Sequence, residues 1–182
     1  MENKTSILFI FSGLPCSGKS TLAQNISKIL NTVYLRIETI ENEIFKFENY
    51  KVQGGEGYTI AQKIIEDNLK IGNDVVSDQC NPWKLTRDHF NDVAIKNNCK
   101  YINIEIICSN IEEHKKRVEN RGYPIWEEIN KWNYEQWIEE HIVVDTANKT
   151  IEECTKELIE KLEYWKIKNY GIKYACTSHN KR

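Results

Sequence analysis

The sequence lacks any strong excess of one charge: 25 Lys and Arg stand against 27 Asp and Glu, for a formal net charge of −2. Such a balance gives no overall attraction to nucleic acid or to an anionic membrane, so any basic surface has to be local. Long apolar runs are missing too, and none approaches the length of a membrane span. Met1-Glu2-Asn3-Lys4-Thr5-Ser6 leads straight into the first expected strand, so a signal peptide is not expected. The six cysteines include no C-x-x-C pair, which argues against a zinc ribbon. Cys16, Cys80, Cys108 and Cys154 are scattered, which fits free thiols in a reducing cytoplasm. The four histidines show neither metal spacing nor an obvious Ser or Cys partner, so a hydrolase triad has no support. There is no internal repeat and no interdomain linker.

What is present is an ordinary globular composition, 40% apolar and 29% charged over 182 residues. That length buries a core in one domain without staples. Short β-branched runs alternate with longer helical patterns, the signature of a parallel sheet covered by helices. Strands are expected at Ile7–Phe11, Thr32–Ile37, Asp74–Asp78, Tyr101–Cys108 and Ile142–Asp145. Helices are expected from about Ser20 to Leu30, from Ile40 to before Tyr50, and from Tyr58 to Ile71. Three more are expected from Lys84 to Lys96, from Ile111 to Asn120, and from a Thr150/Glu153 capping box to about Trp165. Gln53-Gly54-Gly55-Glu56-Gly57 reads as a loop. Residues 171–182 read as a polar, basic and loosely attached tail.

The most specific feature is Gly13-Leu14-Pro15-Cys16-Ser17-Gly18-Lys19-Ser20-Thr21. It fits G-x-x-x-x-G-K-[ST] and stands between an apolar strand and a helix, the context that a phosphate-binding loop needs. Inward backbone N–H groups and the helix N-terminus make an anion nest. Lys19 is suited to the β- and γ-phosphates of a nucleoside triphosphate, and the Ser20 hydroxyl to Mg²⁺.

Ligands of such a sheet sit beyond the carboxyl ends of the strands. Asp78 ends an apolar strand, where a carboxylate can hold Mg²⁺ or its water shell; capping a turn near Pro82 is the alternative. Glu38 follows the second strand, placed to orient an acceptor hydroxyl and take its proton, or else simply solvated. Arg36 shares its sheet face if the strand persists, either holding substrate or pairing with Glu38. Arg117 and Arg121 are one helical turn apart and suited to neutralising charge at transfer, although the helix is charge-rich throughout. The aromatic segment with Trp126, Trp132, Tyr134 and Trp137 reads first as core packing, with stacking on a base as the alternative.

Taken in order, these segments resemble the small P-loop kinases of the adenylate-kinase-like class, including gluconate kinase, chloramphenicol phosphotransferase, zeta toxin and polynucleotide kinase. They are more similar still to bacterial proteins described as AAA family ATPases. The resemblance covers about residues 5–162 and runs from the phosphate loop through Val75-Val76-Ser77-Asp78 and Arg117-Val118-Glu119-Asn120-Arg121 to Val144-Asp145-Thr146. It implies an α/β three-layer sandwich of the P-loop NTPase type, with a five-stranded parallel sheet in order 2-3-1-4-5 and a short lid. It also implies ATP and Mg²⁺ as cofactors, Arg117 and Arg121 as lid arginines, and Thr146 with Ala147 lining the adenine. Two departures stand out: Cys16 replaces a commonly found glycine, and Glu38 stands where an aspartate is usual.

The expectation is therefore a P-loop kinase domain over residues 1–165, with a lid at about 117–137 and a tail at 166–182. It would transfer a γ-phosphoryl group to a hydroxyl of a small-molecule or nucleoside-like acceptor. Two alternatives stand beside it. One is a 5′-hydroxyl polynucleotide kinase whose groove is lined by Lys63, Lys70, Lys84 and Arg87. The other is a slow ATPase that acts as a regulator.

Overall fold

Residues that are apolar on both sides of a strand need cover on both faces, and β1 (Ile7–Ser12) is buried along its whole length. It lies at the centre of a five-stranded parallel sheet in the order β2-β3-β1-β4-β5. The other strands are β2 (Val33–Arg36), β3 (Val75–Asp78), β4 (Lys100–Ile107) and β5 (Ile142–Asp145). The structure, a computed structural model, describes residues 5–47, 55–122 and 124–171. Gln53 and Gly54 of the expected loop and residues 172–182 of the expected tail lie outside the described residues.

Alternation along the strands sorts the core into two layers. On one face, Phe9, Phe11, Val76, Ile104 and Val144 pack with Leu22 and Ile26 of α1 (Lys19–Leu30) and Leu158 of α7 (Ile151–Tyr170). On the other, Leu8, Ile10 and Val75 meet Ala61 and Ile65 of α3 (Glu56–Lys70) and Phe90 of α4 (Lys84–Lys96). Each fully buried large side chain is worth roughly 1.5–3 kcal/mol. Shorter elements complete the chain: α2 (Ile37–Ile44), α5 (Ile111–Arg121) and α6 (Trp126–Ile129).

The register fixes what meets at the carboxyl edge. Phe11 stands opposite Asp78 on one side and Ile104 on the other, and Arg36 stands opposite Asp78. Asp78 and Arg36 have the parity of Val76 and Tyr34, so both point to the α1 face.

Three sequence expectations change. The second strand stops at Arg36 and α2 begins at once with Ile37, because Ile37 is buried in the layer with Leu8 and Ile10. Glu38 therefore stands in the first turn of a helix rather than at a strand end. The last helix runs on to Tyr170, five residues past Trp165, because its final turn still has a surface to cover. The Lys166 ammonium lies 5.0 Å from the centre of the Phe9 ring, and the Tyr170 hydroxyl donates to the Tyr101 carbonyl. The capping box at Thr150 and Glu153 forms as expected. The aromatic segment is not core: Trp126, Tyr134 and Trp137 are half-buried and Trp132 is 41% exposed.

Candidate active site

The loop from Gly13 to Gly18 is shaped by close approach. A Cβ on Gly13 would overlap the Ile106 carbonyl oxygen, and Gly13 has φ 140°, so only glycine fits there. Gly18 is left-handed at φ 95° and caps α1 without a side-chain hydrogen bond. The first-turn N–H groups of α1 have no side-chain acceptor, and no acidic residue stands among them. That end of the helix is an open anion site. Lys19 is its first residue and is only 8% exposed.

Asp78 is 2% exposed. One carboxylate oxygen accepts from the Tyr34 hydroxyl at 2.7 Å and lies 3.7 Å from Arg36 Nε. The other oxygen has no partner. Burial, followed by the Asp78 charge, pushes the Tyr34 phenol well above its ordinary value, so it stays a donor. A buried carboxylate with one oxygen left over, on the sheet face of the phosphate loop, fits a hydrated divalent cation. Among the described residues no group of three or more His, Cys, Asp or Glu could hold a metal. Such a cation would complete its shell from Ser20, phosphate oxygens and water.

Glu38 is held between two guanidinium groups. Arg36 Nη2 meets one carboxylate oxygen and Arg121 Nη2 the other. Arg121 reaches in from the last turn of α5. Cys16 of the loop has φ 63°, a left-handed conformation that costs a side chain about 1–2 kcal/mol.

Arg117 lies one turn earlier. It donates to the Thr146 hydroxyl at 2.8 Å, to the Thr146 carbonyl at 3.1 Å and to Glu113 at 2.6 Å. The Thr146 hydroxyl in turn lies 2.8 Å from the Ser17 carbonyl of the loop. Ala147 is fixed by its N–H, which donates to Asp145 at 3.0 Å. Burial opposes the Asp145 charge, but donors from Ser109 and Ala147 outweigh it and lower the carboxyl below its ordinary range.

His114 was not signalled by metal or triad spacing. It is 5% exposed, its Nε2 lies 2.7 Å from the Pro15 carbonyl, and its ring meets Trp126 edge-on at 5.3 Å. The signal was in helical spacing: His114, Arg117 and Arg121 fall three and four residues apart on one face of α5.

The sequence matches the family model AAA_33, described as an AAA domain, over residues 8–137. The chain belongs to that family. The fold is also that of solved small kinases. An APS kinase, CysC, of Mycobacterium tuberculosis, solved in complex with AMPPNP and APS, superposes with a TM-score of 0.69 at 15% identity, covering 87% of this chain and 98% of that one. A gluconokinase from Sinorhizobium meliloti 1021 gives 0.63 at 15% identity, covering 93% and 100%. A sugar kinase from Janibacter sp. HTCC2649 gives 0.64 at 13% identity, covering 87% and 94%. This AAA-domain chain is thus a P-loop protein of small-kinase architecture.

The four cations suggested for a nucleic-acid groove already have partners among the described residues. Lys63 and Lys70 pair with Glu66 at 2.9 and 2.6 Å, and Lys84 pairs with Asp88 at 2.6 Å and Glu139 at 3.0 Å. Arg87 is 2% exposed, stacked 4.2 Å from the Trp137 ring centre and donating to the Glu135 carbonyl. Among the described residues no helix is long and apolar enough to cross a membrane.

Proposed function

We propose that this protein is an ATP- and Mg²⁺-dependent kinase that transfers the γ-phosphoryl group to a hydroxyl of a small-molecule or nucleoside-like acceptor. The observation that carries the reading is the pairing of the uncapped α1 N-terminus and recessed Lys19 with a buried Asp78 that has one oxygen to spare. The proposed kinase domain runs from residue 1 to the end of α7 at Tyr170, with residues 117–137 as its lid.

In this reaction class positioning and electrostatics supply nearly all of the catalysis. The amides of Gly13, Leu14, Pro15, Cys16, Ser17 and Gly18 with Lys19, Ser20 and Thr21 cradle the phosphates. Ser20 and Asp78 hold the cation, whose chemistry is to neutralise charge on the transferring oxygens. Arg117 and Arg121 add positive charge from the α5 side, and Thr146 with Ala147 flanks the base. Glu38 orients the acceptor hydroxyl and accepts its proton, which requires Arg36 or Arg121 to yield an oxygen when the acceptor arrives.

The test is ADP release from Mg-ATP across nucleosides, sugars, aminoglycosides and 5′-hydroxyl oligonucleotides, with Lys19→Ala as blank. Release stimulated by an acceptor in the wild type and missing in the blank supports the kinase. Slow release indifferent to every acceptor sinks it. Full turnover of Glu38→Gln with nucleotide binding intact removes the proton-accepting role alone.

A further inference from the structure

Beside the phosphate loop, Glu41 of α2 and Asn81 after β3 are polar side chains whose terminal groups have no partner among the described residues. Glu41 is half-buried, and among the described residues its carboxylate has no cationic or hydrogen-bonding partner. Burial, then the charges of Glu38 and Glu56, push its carboxyl above the ordinary range. Its stem is pressed against the start of α3, where a Cβ on Gly57 would overlap Glu41 Cγ. The missing side chain at Gly57 is what lets the Glu41 stem lie against the α3 backbone.

The next residue, Tyr58, links this carboxylate to the end of β3. Its hydroxyl accepts from the Asn81 N–H at 3.4 Å, and it lies within the field of Glu41. Asn81 is fully buried, and neither atom of its amide has a partner. Just before Asn81, the Cys80 carbonyl accepts from the Gly13 N–H of the phosphate loop at 3.0 Å. Glu41 stands one helical turn after Glu38 on the same side of α2, and Tyr58 ties the start of α3 to Asn81, next to the phosphate loop.

Among the described residues, the cations nearest to Glu41 are committed. Arg36 and Arg121 are both spent on Glu38, and Lys19 belongs to the phosphate loop. An anionic acceptor would meet the unpaired Glu41 carboxylate there, whereas an ammonium group would relieve it. The buried amide, able both to donate and to accept, matches hydroxyls.

We propose that the acceptor is a hydroxyl compound bearing an ammonium group, with Glu41 binding the cation and Asn81 a neighbouring hydroxyl. This rests on the kinase reading above, because it assigns the acceptor side of that site.

The experiment uses three hydroxyl-rich probes, kanamycin (cationic), trehalose (neutral) and gluconate (anionic). Their binding to the full chain with Mg-AMPPNP is measured by calorimetry, and ADP release from Mg-ATP is read separately. The variants are Glu41→Gln and, as a control for general acidity, the exposed α7 residue in Glu160→Gln. The expected result is kanamycin bound about tenfold or more tightly than trehalose, with that margin lost in Glu41→Gln and kept in Glu160→Gln. Asn81→Ala weakens both kanamycin and trehalose if the amide meets hydroxyls. Gluconate binding best, or a kanamycin margin that survives Glu41→Gln, overturns the proposal. Stimulation of ADP release by gluconate would keep the kinase and discard the ammonium subsite. Glu41-dependent kanamycin binding without Lys19-dependent turnover of any probe would keep the subsite and count against the kinase.

Discussion

His114 Nε2 lies 2.7 Å from the carbonyl oxygen of Pro15, so the helix that carries Arg117 and Arg121 is tied directly to the phosphate loop. Cutting that tie should disturb both partners. His114→Ala leaves a buried carbonyl without a donor, at a cost of about 1–3 kcal/mol. It should also weaken nucleotide binding about threefold to tenfold, because loop and helix no longer hold each other in register. Urea unfolding and titration with a fluorescent ATP analogue measure the two effects. His114→Gln, which can still donate, should recover part of the binding. Loss of stability with unchanged nucleotide affinity would make the histidine a packing residue only.

Gly13 offers a sharper structural test. In Gly13→Ala the new methyl meets the Ile106 carbonyl on β4 and a backbone φ of 140° that alanine resists. The expected loss is roughly 2–4 kcal/mol, read from the denaturant midpoint. By contrast, a Cβ on Gly72 meets nothing within 4 Å. Gly72→Ala should suffer only the strain of its φ of 91° and lose less.

The segment after α6 should respond to pH through His141. Burial opposes its charge, but hydrogen bonds to Glu105 and to the Glu139 carbonyl outweigh this and raise the imidazole above its ordinary value. Its ring is also stacked on Trp137 at 4.3 Å. A raised folded value means that the stabilisation is complete below the unfolded value of about 6.5 and is lost as pH rises through the folded one. The urea midpoint should therefore decline as pH rises from the unfolded value through the folded one. Glu105→Gln should flatten that decline, and a profile identical to the wild type would refute the link.

Cys16 is partly exposed in the phosphate loop and its conformation is one that glycine takes readily. N-ethylmaleimide should inactivate the wild type, Mg-ATP should protect it, and Cys16→Gly should be active and resistant. Equal inactivation of Cys16→Gly would shift the target to Cys80, which is also partly exposed.

Much of this was legible in the chain because it rests on local chemistry. The all-apolar run of β1 announces a central strand, Gly13 and Gly18 announce the loop, and Thr150 with Glu153 announces the start of α7. The order of the strands came from resemblance rather than from periodicity. What escaped depends on tertiary contact. Thr32 to Ile37 continues a β-branched pattern, and only the burial of Ile37 against Leu8 and Ile10 turns it into a helix start. The last turns of α7 look polar until Lys166 is seen over Phe9. The tryptophans read as core by composition, yet Trp137 serves as a platform for Arg87 and His141 on the outside of the sheet.

The hydrogen bond between Thr146 and the Ser17 carbonyl has a wider bearing when set beside its neighbours. Within the loop, the Leu14 carbonyl is taken by the Ser17 N–H and the Gly18 carbonyl by the Leu22 N–H, while Pro15 is taken by His114. The negative ends of four successive-to-near peptide dipoles are thereby engaged from behind. A peptide plane that flipped would have to surrender one of these bonds before presenting an oxygen to a phosphate. The receptor's polarity is thus held by the loop's own turn and α1 and, from outside, by His114 and Thr146, and it should persist in the absence of nucleotide.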